Sequence, residues 1–225
     1  MLRGQEGRHA TTVRRLAAGE PAYLTDGAGR VARCVVDVAR PGELELSVLE
    51  ITAEPAPEPR VTVVQAIPKG DRGELAVELL TEVGADTIVP WAAERCIAQW
   101  RGERAARSLA RWRSTALQAA KQSRRAWLPD VTPQADLTAV TARVAAAALA
   151  VLLDPEAAAR LTELQPPAAG EVVLIVGPEG GITPAEQEAL VAAGAVGARL
   201  GPTVLRASTA GTVAAGVLLA RTSRW

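Results

Sequence analysis

From Val61 onward the chain alternates short apolar runs with helix-length segments, and this alternation constrains the fold more than any other feature. Val61–Ile67 is a nearly continuous apolar run, as expected of a strand buried on both faces. Asp71 and Glu74 form a D-x-x-E helix start, and Gly84 stops that helix. Thr87–Pro90, Ala146–Leu153, Val172–Val176 and Ala198–Leu200 read as further strands. A long basic helix is predicted over Glu103–Ser123. Thr183, Pro184 and Glu186 supply an N-cap, a first-position proline and a capping-box carboxylate. Gly194 ends that helix, and Ser208–Arg221 forms the last one. Repeated βα units imply an α/β fold around a mostly parallel sheet.

The front of the chain has another rhythm. Residues 8–51 read as short strands and turns: Pro21–Thr25 and Val31–Val38 flank the turn Asp26-Gly27-Ala28-Gly29, and Glu43–Ile51 alternates at period two. Pro55, Pro57 and Pro59 then stand at alternate positions, which makes Thr52–Arg60 an extended linker. The expected division is a small β domain over residues 1–56 and an α/β domain over residues 60–225.

Composition narrows the function classes. The chain has no Phe and only 3% aromatic residues, so its core must be built from Ala, Val and Leu. Cys34 and Cys96 are far apart, without a CxxC pair, and read as free thiols in a reducing cytosol. With His9 as the lone histidine, no metal site is expected. The N-terminus lacks the apolar segment of a secretory signal. The longest apolar run, Val144–Leu153, is half the roughly 20 residues a membrane helix needs. A soluble cytoplasmic protein is expected. The net charge is zero, yet residues 95–125 carry nine basic groups against the single acid Glu103. That asymmetry points to a polyanionic partner or to a solvated Arg-rich helix face.

Ligands of open parallel sheets bind beyond the carboxyl ends of the strands. Three such ends carry unusual loops: Leu153-Asp154-Pro155-Glu156, Gly177-Pro178-Glu179-Gly180-Gly181 and Gly201-Pro202-Thr203-Val204-Leu205-Arg206. The glycines of the second loop let a ligand approach the backbone closely, and a helix N-terminus follows it, which would suit phosphate. Glu179 opposes that, and neither a Gly-Lys-Ser/Thr nor a G-x-G-x-x-G pattern is present. The loop therefore favours a neutral or cationic ligand, such as an adenine and a sulfonium, unless it is only a tight βα turn.

These motifs together resemble the knotted SPOUT methyltransferases. The residues concerned are Leu174 through Gly181 with Thr183, Glu186 and Glu188, then Leu200-Gly201, then Val204-Leu205-Arg206-Ala207-Ser208-Thr209-Ala210. Within that superfamily the sequence is similar to the RsmE type, which methylates N3 of a uridine in 16S ribosomal RNA. Gln118 through Ser123 with Arg125 and Pro129 resembles that type's E-A-x-E-Q-S-x-R…P segment. Lys69-Gly70-Asp71 through Glu82-Val83-Gly84-Ala85 resembles another of its conserved regions. Glu6, His9, Val13, Arg15 and Gly19 resemble its N-terminal RNA-binding motif. There are departures: Ser208 replaces the usual Glu, Arg14 replaces an apolar residue, and one histidine of the usual pair is missing.

The resemblance implies a C-terminal α/β trefoil-knot domain behind a small PUA-like β-barrel. The aromatic-containing strand with which the family usually begins is absent, so the barrel is expected to be truncated. The family binds S-adenosylmethionine in the knot and works as a homodimer on ribosomal RNA of the small subunit. Cofactor contacts are expected from Leu153, Val176, Gly177, Pro178, Glu179, Gly180, Gly181, Leu200, Gly201, Val204, Leu205, Thr209 and Ala210. RNA contacts are expected from His9, Arg15, Arg124 and Arg125. Arg206 is the expected catalytic residue, stabilising negative charge on the uracil carbonyls; binding RNA phosphate or pairing with Glu179 are its other possible roles. No general base is assigned. Four tryptophans (Trp91, Trp100, Trp112, Trp127) lie in or beside the basic segment, placed either for base stacking or for core and dimer packing. Two other readings stay open: a SPOUT enzyme with a different RNA target, and a non-catalytic RNA-binding protein.

Overall fold

A computed structural model describes residues Met1–Trp225. It comprises two compact units, Met1–Ala56 and Pro57–Trp225.

The first unit opens with a helix, α1 (Gly4–Arg8), that runs into a π-helical turn over His9–Val13. Residues 8–13 belong to the stretch whose pattern predicts strands and turns, yet they are helical. The helix is held by a close tertiary contact that local propensity does not reveal. Gly7 is buried, and a Cβ there would lie 2.4 Å from the Gly42 carbonyl oxygen and 2.8 Å from that of Leu2. Thr11 Oγ1 donates to Gly7 O at 2.9 Å and accepts from Gly42 N at 3.1 Å, tying the helical segment to the turn at Gly42. Strands β1 (Pro21–Thr25), β2 (Arg30–Arg40) and β3 (Glu43–Ala53) form an antiparallel meander in the order β1-β2-β3. Asp26 shapes the first turn by accepting from Ala28 N and Arg30 N at 2.8 and 3.1 Å. Ala10, Ala22, Cys34, Val36 and Leu44 form a small core.

The second unit is a six-stranded, all-parallel sheet in the order β6-β5-β4-β8-β7-β9. Its strands are β4 (Arg60–Ala66), β5 (Thr87–Trp91), β6 (Asp130–Val131), β7 (Leu149–Leu153), β8 (Glu171–Val176) and β9 (Val196–Ala198). The helices are α2 (Arg72–Val83), α3 (Gly102–Gln122), α4 (Leu137–Ala146), α5 (Pro184–Ala192) and α6 (Ala207–Leu219). Helices cover both faces of the sheet. Val63, Leu174 and Val176 pack with Leu80 of α2, Trp112 of α3 and Leu218 of α6 on one side. Val64, Val173 and Ile175 pack with Val140 of α4 and Leu190 of α5 on the other. Gly211 lets α6 approach the sheet, since a Cβ there would meet Val63, Leu80 and Val176 at 3.1–3.2 Å.

Several boundaries differ from those expected. Asp71 has helical backbone angles and makes no side-chain cap bond, so α2 begins without a capping box. Helix α4 was not foreseen, and Ala146 ends it instead of opening β7. Asp136 caps α4 by accepting from Ala139 N at 2.8 Å, and alanine favours helix over strand. Strand β9 sits two residues earlier than Ala198–Leu200.

Two sets of bonds hold the C-terminal end of the chain. Arg221 donates to the carbonyls of Thr162 and Leu164 in the loop after β7. Arg224 binds Asp86, which is 6% exposed and also accepts from Val61 N and Arg125.

Candidate active site

The three loops singled out in the sequence meet at the carboxyl ends of β7, β8 and β9. They enclose a cavity of about 300 Å³, with the start of α6 as a further wall. Of the residues put forward as cofactor contacts, Leu153, Val176, Gly177, Gly181, Leu200, Gly201, Val204, Leu205 and Ala210 line it. Leu152, Asp154, Pro155, Ile182, Gln187, Ala198, Thr203 and Ala207 line it as well. The lining thus carries one carboxylate, that of Asp154, and no basic side chain.

The Gly177–Gly181 loop is held from several directions. Gly181 N donates to Pro178 O at 2.9 Å, closing a turn. Gly177 packs beneath Ile182; a Cβ there would lie 2.7 Å from Ile182 Cγ1. Glu186, 4% exposed, completes the capping box at the start of α5. Its Oε2 accepts from Thr183 N at 2.9 Å, and its Oε1 accepts from Glu94 N at 2.7 Å. One carboxylate therefore fixes both the helix that follows the loop and the segment after β5. The loops after β7 and β9 are also joined: Asp154 N donates to Ala198 O, Leu161 N to Arg199 O, and Arg199 N to Ala159 O. Asp154 Oδ2 accepts from Gln187 Nε2 at 3.2 Å, which holds the carboxylate at the cavity wall.

Comparison with known proteins identifies this architecture. A family model for an RNA methyltransferase domain matches residues 55–219, and one for an RNA methyltransferase PUA domain matches residues 2–49. The chain is 51% identical over 227 residues to the ribosomal RNA small subunit methyltransferase E of Mycobacterium bovis, covering 99% of this chain and 86% of the relative. The chain belongs to this RNA methyltransferase family. The Bacillus subtilis member is 28% identical, over 93% of this chain and 85% of its own length. A structure of the Neisseria gonorrhoeae member bound to S-adenosyl methionine is 28% identical, with a TM-score of 0.83 over 94% of this chain and 87% of that one. A Legionella pneumophila protein solved with the bound cofactor SAM gives a TM-score of 0.86 at 27% identity, over 99% and 94% of the two chains. The fold is the α/β trefoil-knot fold of the SPOUT methyltransferases, with a PUA-type unit in front.

Within this methyltransferase, several residues chosen from the sequence sit elsewhere. Pro178 is buried and does not line the cavity. Glu179 turns away and pairs with Arg72 at 3.7 Å, not with Arg206. Gly180 lies under Arg95, and the Thr209 hydroxyl donates to Arg206 O at 3.2 Å. Arg206 caps α6 between two residues of the cavity lining, exposed and without a hydrogen-bond or ion-pair partner for its guanidinium.

The expected RNA contacts also divide. His9 is half-buried at the start of the π-helical turn, and Arg15 is exposed, with φ +54°. Arg124 is exposed at the end of α3, with φ +56°. Arg125 is a correction, because its guanidinium is consumed inside the fold. It donates to Thr81 O and Ala85 O at 3.0 and 2.5 Å and to Asp86 Oδ1 at 3.2 Å, and its side chain is 12% exposed. Burial lowers its pKa, against the pull of Asp86. Of the tryptophans, Trp91 and Trp112 are core residues, and Trp100 packs edge-on against Trp112 at 4.9 Å. Loop composition was a signal for Asp154 and Pro155; nothing local marked Gln187 or Ile182 as cavity residues.

Proposed function

We propose that this chain transfers the methyl group of S-adenosylmethionine to N3 of a uridine in the 16S RNA of the small ribosomal subunit. The observation that carries this reading is the joining of the Gly177–Gly181 and Leu200–Leu205 loops around one cavity that has a carboxylate and no cation in its wall. Such a wall suits a sulfonium nucleoside and opposes a phosphate. Leu152, Leu153, Ile182 and Leu205 offer apolar surface for an adenine, and Gly177, Gly181 and Gly201 let the ligand approach the main chain. Asp154, steadied by Gln187, favours positive charge. Bound there, S-adenosylmethionine supplies an electrophilic methyl group.

The chain's own residues then have two tasks. The fixed loops hold the reactants in line, which removes orientational freedom from the barrier. Arg206, unpaired at the cavity edge, stabilises the negative charge that develops on the uracil as the N3 proton passes to solvent water, a contribution of about 3 kcal/mol; the N3–methyl bond forms as the sulfur–methyl bond breaks, and a neutral thioether leaves. The N-terminal unit holds RNA through His9 and Arg15, and Arg124 contributes from the end of α3. The enzyme acts in the cytoplasm as a homodimer; exposed Val204 and Val213 supply apolar surface for a partner subunit.

Mass mapping of ribosomal RNA from a deletion strain tests this directly. One uridine of the small-subunit RNA should lose a single methyl group and regain it on complementation. An unchanged small-subunit RNA overturns the reading. Loss of a methyl group from transfer RNA or large-subunit RNA instead would assign the enzyme a different target.

A further inference from the structure

The arginines around the cavity loops are used in different ways. Arg72 is paired with Glu179. Arg199 gives Nη1 to the carbonyls of Ala157 and Ala158 at 2.6 and 2.7 Å. Arg95 faces no carboxylate within ion-pair distance, yet it is mounted with care. Its side chain lies across two glycines: a Cβ on Gly180 would lie 3.2 Å from Arg95 Cβ, and one on Gly181 would lie 3.9 Å from Nη1. Nη1 donates to Gly180 O at 3.3 Å, and the rest of the exposed guanidinium is left open. Gly181 lines the cavity, so the charge stands at its edge.

The mount itself is rigid. Trp91, Ala93 and Cys96 around Arg95 are buried. Ala92 N donates to Ala135 O at 3.0 Å, and Cys96 N donates to Ala93 O at 3.0 Å. Glu94 N is held by the buried Glu186 carboxylate that also caps α5. A long cationic side chain has a large rotamer entropy to lose. Here contact with the two glycines and the bond to Gly180 O seat the side chain against the loop, and no internal anion consumes the charge.

We propose that Arg95 is an RNA-contact residue whose guanidinium binds a backbone phosphate of the target strand beside the cavity mouth. The inference rests on the methyltransferase reading above and adds to it a substrate-positioning cation on the segment after β5. A guanidinium matches phosphate oxygens through paired N–H donors. Its place outside the cavity lining separates this role from cofactor binding.

The test uses the full chain, small-subunit RNA from the deletion strain, and the variants Arg95→Ala and Arg95→Lys. Arg95→Ala should raise KM for RNA about tenfold with little change in kcat, which corresponds to the loss of one charged phosphate contact. The slope of log affinity against log salt should shrink by about 0.7 for a single-stranded target. Affinity for S-adenosylmethionine, read by calorimetry, should stay unchanged, as should the thermal midpoint. Arg95→Lys should restore the salt slope but only part of the affinity. RNA affinity and salt slope equal to those of the parent chain would overturn the proposal. So would a fall in cofactor affinity matching the loss of activity, which would place Arg95 in support of the cofactor loop. A parent chain that neither binds nor methylates this RNA would sink the functional reading, and this inference with it.

Discussion

Two of the three loops that wall the cavity, those after β8 and β9, are built on opposite terms. Gly177–Gly181 is closed by its own turn, followed by a capped helix and clamped through Glu186 to the segment after β5. In the second loop, residues 201–204 are exposed and Val204 is 78% exposed, with no side-chain hydrogen bond along Gly201–Leu205. One wall is therefore shaped before a ligand arrives. The other has apolar surface that only a ligand or a partner subunit can cover. Preorganisation on one side lowers the cost of binding, and the open side is where binding can still bury new surface.

Glu186→Ala should produce the largest effect if the first wall depends on that clamp. It leaves the buried Thr183 N and the part-buried Glu94 N without their acceptor, and a buried unsatisfied donor costs about 1–3 kcal/mol. A loss of at least about 2 kcal/mol in urea unfolding is expected, with a parallel fall in cofactor affinity. A variant as stable as the parent would show that the two walls do not differ in the way described.

Gly177→Ala asks a narrower question about the same wall. The new methyl group would meet Ile182 Cγ1 at 2.7 Å, and Ile182 is β-branched and lines the cavity. Ile182 must move toward the cavity or the loop must lift. Cofactor affinity should drop about tenfold by calorimetry, equivalent to about 1.4 kcal/mol. Stability should fall less than in Glu186→Ala, because no buried polar group is orphaned. Unchanged affinity would mean that the loop yields easily and is not preorganised.

The sequence made the first wall readable because its signals are local. Three glycines, a proline and a T-P-x-E start lie within ten residues, and each has a direct backbone consequence. The failures are the long-range contacts. Arg125 looked like one more arginine at the end of a basic helix, whereas the partner that buries it, Asp86, lies 39 residues away. Helix α1 depends on Gly7 meeting Gly42, a contact that no periodicity encodes. Helix α4 was hidden by an alanine tract that runs without a break in hydropathy into β7. The parallel sheet was legible as repeated βα units, but its order β6-β5-β4-β8-β7-β9 was not, because strand pairing is decided by packing between distant segments. Arg95 belonged to the basic segment in the sequence, and only its glycine bed sets it apart from the other arginines there.

Val204→Ala should give the smallest change in stability and therefore sharpens the contrast from the other side. Its side chain is exposed and makes no hydrogen bond, so truncation should alter unfolding by less than about 0.5 kcal/mol. Val204 nevertheless lines the cavity. If binding covers about half of it, the two lost methylene equivalents should weaken cofactor affinity a few-fold, since each fully buried CH₂ is worth about 0.8 kcal/mol. Stability and affinity would then separate in this loop, whereas in Glu186→Ala they fall together. A Val204→Ala chain that loses stability as Glu186→Ala does would show the second loop to be as firmly built as the first. One that loses neither stability nor affinity would show that nothing covers Val204 when the cofactor binds.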